Sequence, residues 1–144
     1  MNRRAMIGGL AGLTAVAPGR IAAQTPVSDD QEAANIAVVR RLYAEVYNGQ
    51  NPEAVRGIMA PEYTTNNDTY APGIDAYIAR LDDYFRDMNR KYTTYRFEIV
   101  DIIASGNVVV TRTELSGADK DGMQAITNAV VWYELADGLI TVAY

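Results

Sequence analysis

Residues 35–63, NIAVVRRLYAEVYNGQNPEAVRGIMAPEY, decide how the chain is read. Ile36, Val39, Tyr43, Val46 and Tyr47 recur at the spacing of one helix face, with Leu42 beside them, and predict a helix from Asn35 to Asn48. Asn48-Gly49 ends it, since these residues accept the backbone turn a helix end requires. Asn51-Pro52-Glu53 then starts a short second helix, with a capping residue, a proline at the first helical position and an acid in the first turn. Ala54, Val55, Ile58 and Met59 form its buried side, and Pro61 closes it.

Toward the C-terminus, Tyr63-Thr64-Thr65 reads as a short strand, followed by the polar loop Asn66-Asn67-Asp68. Pro72-Gly73 marks a break. Ile74, Tyr77, Ile78, Leu81, Phe85 and Met88 define a third helix, with Asp82, Asp83, Arg86 and Asp87 on its outer face. After Lys91 the period changes from 3.6 to 2: Tyr95, Phe97 and Ile99 alternate with Arg96 and Glu98, and the alternation slips at Val100-Asp101-Ile102, which predicts a bulge. Ser105-Gly106-Asn107 is a turn, Val108 to Ser116 a second long strand, Gly117 to Gly122 a charged loop and Met123 to Leu135 a third strand. Ala136-Asp137-Gly138 turns the chain into a last strand, Leu139 to Tyr144. Helices first and hairpin-linked strands after predict an α+β domain whose sheet is mostly antiparallel.

Toward the N-terminus the pattern is different. Asn2-Arg3-Arg4 precedes a 13-residue, mostly apolar run from Ala5 to Ala17, and Ile21-Ala22-Ala23 offers small residues for cleavage before Gln24. That is the layout of a secretory signal peptide over residues 1–23, and its run is shorter than the roughly 20 residues a membrane span needs. The adjacent arginines resemble a twin-arginine signal, although Met6-Ile7 stand where Phe-Leu is usual. Residues 24–34 read as a flexible leader, leaving 35–144 as the domain. Of the 144 residues, 13 are basic and 18 acidic; removal of residues 1–23 takes three basic residues and no acidic one, leaving a charge of −8. An acidic chain with no basic stretch outside the extreme N-terminus argues against nucleic acid as a partner. The expected location is the bacterial periplasm or the exterior, with no membrane attachment after the signal is removed.

There is no cysteine and no histidine. A thiolate nucleophile, a disulfide, a Ser-His-Asp triad and the commonest zinc ligand are therefore excluded. The scattered Asp and Glu show no metal-loop spacing, so no metal and no cofactor is expected. Proton transfer falls to Asp, Glu, Tyr, Lys or a bound water. Ten tyrosines against two phenylalanines suit an apolar pocket with a few polar handles.

The opening helix with its Asn-Gly turn, the short second helix and the Ala60-Pro61-Glu62-Tyr63 step resemble SnoaL-like proteins of the nuclear transport factor 2-like superfamily. Gly73, the run Val108 to Arg112 with Gly117, and Ala136-Asp137-Gly138-Leu139-Ile140 extend the resemblance over residues 35–144. It implies a cone-shaped α+β barrel: three N-terminal helices packed in a strongly curved, mostly antiparallel sheet, with one pocket at the open end. It also implies a small apolar or aromatic organic molecule as partner, and a homodimer through the outer sheet face. Relatives continue the last strand several residues past the Asp-Gly-Leu-Ile turn, whereas this chain stops at Tyr144, so the strand is short or the sequence truncated.

Arg112 and Glu114, two apart on one strand, share a face. The family's arginine at this position would point into the pocket, and the pair resembles the Arg-x-Asp of limonene epoxide hydrolase-like members; their second carboxylate would fall beyond Tyr144. Asp68 follows Tyr63 where isomerase- and cyclase-like members place a base, and Asn67 could fix a carbonyl or water there. Tyr43 aligns with the first-helix tyrosine that ketosteroid isomerase-like members use as an oxyanion donor, but the position of their partner acid holds Val130. The resulting expectation is a metal-free lyase, isomerase or cyclase, with Asp68 and Glu114 for acid–base work and Tyr43, Tyr47, Tyr63, Asn67, Arg112 and Trp132 holding the ligand. A non-catalytic ligand carrier and a dimeric interaction module are the competing expectations.

Overall fold

Ser28 starts the fold by capping the first helix, α1 (Asp29–Arg41): its hydroxyl accepts the backbone N–H of Gln31 at 3.2 Å. Asp29, Asp30 and Glu32 in the first turn and Arg40 and Arg41 in the last complement the helix dipole. The structure, a computed structural model, describes residues 28–65 and 69–144. The expected signal peptide, residues 24–27 of the leader, and Asn66, Asn67 and Asp68 lie outside the described residues.

The leader expected over 24–34 is corrected by α1, which begins six residues earlier than Asn35. These extra residues hold the far hairpin. Glu32 accepts the backbone N–H of Gly106 at 2.7 Å, and buried Asn35 donates to the Gly106 carbonyl at 3.1 Å. Gln31 in turn donates to the Asn35 side chain at 3.0 Å.

At Leu42 the helix widens into a π-helical segment, Leu42–Tyr47, in which the Asn48 N–H reaches back five residues to the Tyr43 carbonyl at 2.9 Å. The wider turn stacks Leu42 over Val46 and Tyr43 over Tyr47, so four of its six side chains face inward. Asn48 then bonds the backbone of Phe97 twice, accepting its N–H and donating to its carbonyl, each at 2.9 Å. The predicted second helix is a 3-10 segment, Pro52–Gly57.

β1 (Met59–Thr65) starts earlier than the sequence suggested, because Met59 pairs with Ile140 and the Ile140 N–H donates to the Ile58 carbonyl at 2.9 Å. Pro61 is tolerated because β1 is an edge strand. Gly73, at φ 98°, leads into α2 (Ile74–Lys91), as predicted. β2 (Tyr92–Ser105) follows without a loop, then β3 (Val108–Asp119), β4 (Gln124–Ala136) and β5 (Leu139–Ala143). β3 runs into the segment expected as a charged loop, because Gly117 and Ala118 still pair with β4. Asp137 and Gly138, both at positive φ, make the two-residue turn into β5.

The sheet order is β1-β5-β4-β3-β2, with β1 parallel to β5 and every other pair antiparallel. The result is an open α+β arrangement, with the helical segments on one face of a five-stranded sheet. The bulge predicted at Val100 is present: Ile99 opposes Thr113 and Asp101 opposes Arg112. It shifts the inward set of β2 from Phe97 and Ile99 to Ile102 and Ala104. Val39, Leu42, Val46, Val55, Ile58, Val109 and Ile140 are fully buried between the layers. Among the described residues, no helix is long and apolar enough to cross a membrane.

Candidate functional site

A cavity of about 430 Å3 opens between the helices and the sheet, within the size range of small-molecule sites. The π-helical segment contributes Tyr43 and Tyr47, β1 contributes Tyr63, and the segment before α2 contributes Tyr70. Tyr77, Arg80, Leu81 and Tyr84 lie three to four residues apart along one side of α2. The sheet supplies Phe97, Thr113, Ala129, Val131, Tyr133 and Ala143, and the small residues among these leave the open volume.

The polar groups are mainly phenols, and they are paired. Tyr43 and Tyr133 hydroxyls meet at 2.8 Å, as do those of Tyr47 and Tyr77. In each pair one O–H is shared and the other proton remains to be donated. The rings form a continuous wall: the centroids of Tyr43 and Tyr47 lie 5.3 Å apart, those of Tyr47 and Phe97 5.1 Å, and those of Tyr63 and Tyr77 4.9 Å.

Burial raises the phenol pKa values, strongly for Tyr47 and Tyr133, whose phenol neighbours add to it. Tyr63 also moves well above its ordinary value through burial, opposed in part by the Arg80 charge. Burial pushes Tyr84 up to about 12. Burial likewise raises Tyr77, against lowering contributions from the Tyr47 hydroxyl and from Arg80. At neutral pH these groups are hydrogen-bond donors rather than bases.

The sequence candidates divide between two faces of the sheet. Tyr43, Tyr47 and Tyr63 line the cavity together. Arg112 and Glu114 do not: the inward positions of β3 are Val109, Thr111 and Thr113, which are buried. The pocket-facing expectation for this pair is therefore corrected. Arg112 is exposed on the outer face and forms an ion pair with Asp101 across the bulge, at 2.6 Å. Trp132 is corrected in the same way; it is 55% exposed beside outward Val130, while Val131 and Tyr133 point inward.

Tyr70, Tyr77, Arg80, Tyr84 and Phe97 line the cavity beyond the candidates that the sequence offers, and of the successive aromatics Trp132 and Tyr133 it is Tyr133 that faces it. The spacing of Tyr77, Leu81 and Tyr84, with Arg80 between them, was a usable signal. Among the described residues no three Asp or Glu side chains gather as a metal site would need.

A family model for the SnoaL-like domain matches residues 39–143. No curated protein matches the chain in sequence. Among solved structures, a Jannaschia sp. CCS1 protein proposed to be a SnoaL-like polyketide cyclase superposes with a TM-score of 0.66 at 22% identity, covering 83% of this chain and 86% of its own. TsrD from Streptomyces laurentii gives 0.65 at 19% identity, covering 78% of this chain and 86% of its own. An LEH-like epoxide hydrolase of M. tuberculosis gives 0.59 at 17% identity, covering 78% of this chain and 81% of its own. At these identities the likeness is one of fold.

Proposed function

The chain belongs to the SnoaL-like domain family, and on that premise we propose that its tyrosine-walled cavity binds a small, largely aromatic organic molecule and donates phenol hydrogen bonds to a carbonyl or enol oxygen of it. The observation that carries this reading is a cavity of about 430 Å3 in which eight of the lining side chains are aromatic and two hydroxyl pairs supply the donors. A core of this size left open argues against a domain whose only role is to be a rigid interaction module.

The finer reading is metal-free acid–base catalysis. A phenol holding the carbonyl oxygen stabilises the enolate formed when a carboxylate removes a proton from the adjacent carbon. Return of that proton elsewhere gives isomerisation; attack of the enolate carbon on a second carbonyl gives cyclisation. We assign the carboxylate to Asp68, because Tyr63 and Tyr70, on either side of residues 66–68 in the chain, both line the cavity. The competing reading is a non-catalytic carrier, favoured by the lack of any Asp or Glu among the described lining residues.

A thermal-shift screen of the protein against apolar ketones, epoxides, polyketide-like aromatics and steroids tests binding. A ligand at 100 times its Kd adds about 2.7 kcal/mol of stability, a shift on the order of 10 °C for a domain of this size. No shift across the panel overturns the binding reading. With a hit in hand, turnover abolished by Asp68→Asn supports the enzyme, and binding without turnover in the unsubstituted protein selects the carrier.

Two further assignments belong to this reading. Ile103, Val110 and Trp132, on three adjacent strands, and Tyr144, just past β5, are neighbours on the outer sheet face, and we assign that row to contact with a second copy of the chain. Sedimentation should show a dimer that Trp132→Lys dissociates; a monomeric unsubstituted protein refutes it. Residues 1–23 are assigned to export to the periplasm or beyond, for which a processed chain starting at Gln24 is the expected product and an intact cytoplasmic chain the contrary one.

A further inference from the structure

Arg80 is the only charged side chain among the described residues that line the cavity, and none of those residues is acidic. It comes from α2, three residues after Tyr77. Its guanidinium carbon lies 4.1 Å from the Tyr70 ring centroid and 4.7 Å from that of Tyr77. Two rings thus hold the cation in place by cation–π attraction, on opposite flanks of the loop-to-helix junction. The Tyr77 hydroxyl also meets the Arg80 side chain, and a guanidinium with five N–H donors in a fixed fork keeps donors for a further oxygen acceptor.

The charge also reaches the interior. Tyr63 and Tyr77, whose rings are 4.9 Å apart, are both shifted by Arg80 in the direction opposite to that of burial. Arg80 therefore provides a positive field in a wall whose other described residues offer apolar surface and hydroxyl groups. Among the described lining residues no acid compensates that charge when a neutral molecule is bound, whereas an anion gains charge-assisted hydrogen bonds from it. One cation balances one negative charge. A monoanion fits this arrangement better than a phosphate monoester, which carries nearly two charges at neutral pH.

We propose that the cavity selects a small aromatic or alicyclic carboxylate, its flat body against the tyrosine rings and its carboxylate taken by the Arg80 fork. The proposal rests on the carrier form of the ligand-site reading, in which no carboxylate of the chain supplies the counter-charge, and adds to it the charge and functional group of the ligand.

Naphthoate and its uncharged counterpart naphthamide separate the two ideas, since they share one ring body. Binding of each to the full chain is measured by calorimetry, with the unsubstituted protein and with Arg80→Gln. The expected result is a preference of about tenfold or more for naphthoate, the size of a charge-assisted hydrogen bond. Arg80→Gln should remove that preference, weakening naphthoate about tenfold more than naphthamide. Equal affinity for the two probes, or equal weakening of both by Arg80→Gln, overturns the anion assignment while the ligand-site reading stands. Failure of both probes to bind the unsubstituted protein overturns the ligand-site reading and this proposal with it. The probe comparison in unsubstituted protein decides the matter even if the variant does not fold.

Discussion

Raising the pH should unfold this protein through its own cavity. Tyr47, Tyr63 and Tyr133 are held protonated well beyond the ordinary tyrosine range, chiefly by burial. In the unfolded chain the same phenols lose their protons near pH 10. A folded-state pKa above the unfolded value means that the stabilisation is complete below about pH 10 and is lost as pH rises further. At pH 11 each phenol ionised only in the unfolded chain withdraws about 1.4 kcal/mol, so three withdraw about 4 kcal/mol. That is a large share of the roughly 5–15 kcal/mol that holds a domain together. Urea unfolding followed by circular dichroism, at pH 8 and at pH 11, measures the difference directly. Tyr133→Phe should reduce the loss by about 1.4 kcal/mol, the share of one such group. Superimposable curves at the two pH values would mean that these phenols titrate freely in the folded protein, and the picture of a dry tyrosine wall would be wrong.

Three substitutions probe the frame around that wall. Asn35→Ala should lower stability by about 1–2 kcal/mol, because the half-buried Gly106 carbonyl loses its donor; unchanged stability with unchanged amide exchange at Gly106 would refute the clamp. Gly49→Ala should lower stability by at least about 2 kcal/mol, since a Cβ there would lie 2.3 Å from the Glu45 carbonyl oxygen; a neutral result in chemical denaturation would contradict the tight helix exit. Arg112→Ala should change stability by less than about 1 kcal/mol and leave ligand affinity intact, because its ion pair with Asp101 is exposed; lost binding would return Arg112 to the cavity.

Much of the architecture was legible because it rests on local rules. The Asp137-Gly138 turn, the slip at Val100 and the spacing from Ile74 to Met88 each have a direct physical reading, and each element lies where that reading puts it. The cavity was less legible because both faces of β3 and β4 carry apolar residues. Val108, Val109 and Val110 give no alternation, and Trp132-Tyr133 offers two large aromatics in succession. Analogy then turned Arg112 and Glu114 inward, although two charged groups without a described partner in the wall belong in water, and Thr111 and Thr113 were the affordable inward residues. The π-helical segment is hidden in the sequence for another reason. Its signal, Leu42 with Val46 and Tyr43 with Tyr47, is also compatible with an ordinary helix, and only the Asn48 bond to the Tyr43 carbonyl distinguishes the two. The start of α1 is not legible because Asp29, Asp30, Gln31 and Glu32 look like a solvated tail until the hairpin turn arrives to meet Glu32 and Asn35.

The two phenol pairs have a consequence for how many guests one cavity can serve. In each pair either oxygen can be the donor. Rotating two hydroxyl hydrogens reverses a pair without moving a heavy atom, so the two pairs allow four proton arrangements on one rigid set of rings. Each arrangement exposes its spare donor at a different point on the wall. A guest whose carbonyl falls near Tyr43 and another whose carbonyl falls near Tyr133 meet the same shape with a different polarity. The wall can thus be rigid toward the size of a molecule and accommodating toward the place of its oxygen, a division of tasks that a single fixed donor such as an amide N–H could not achieve.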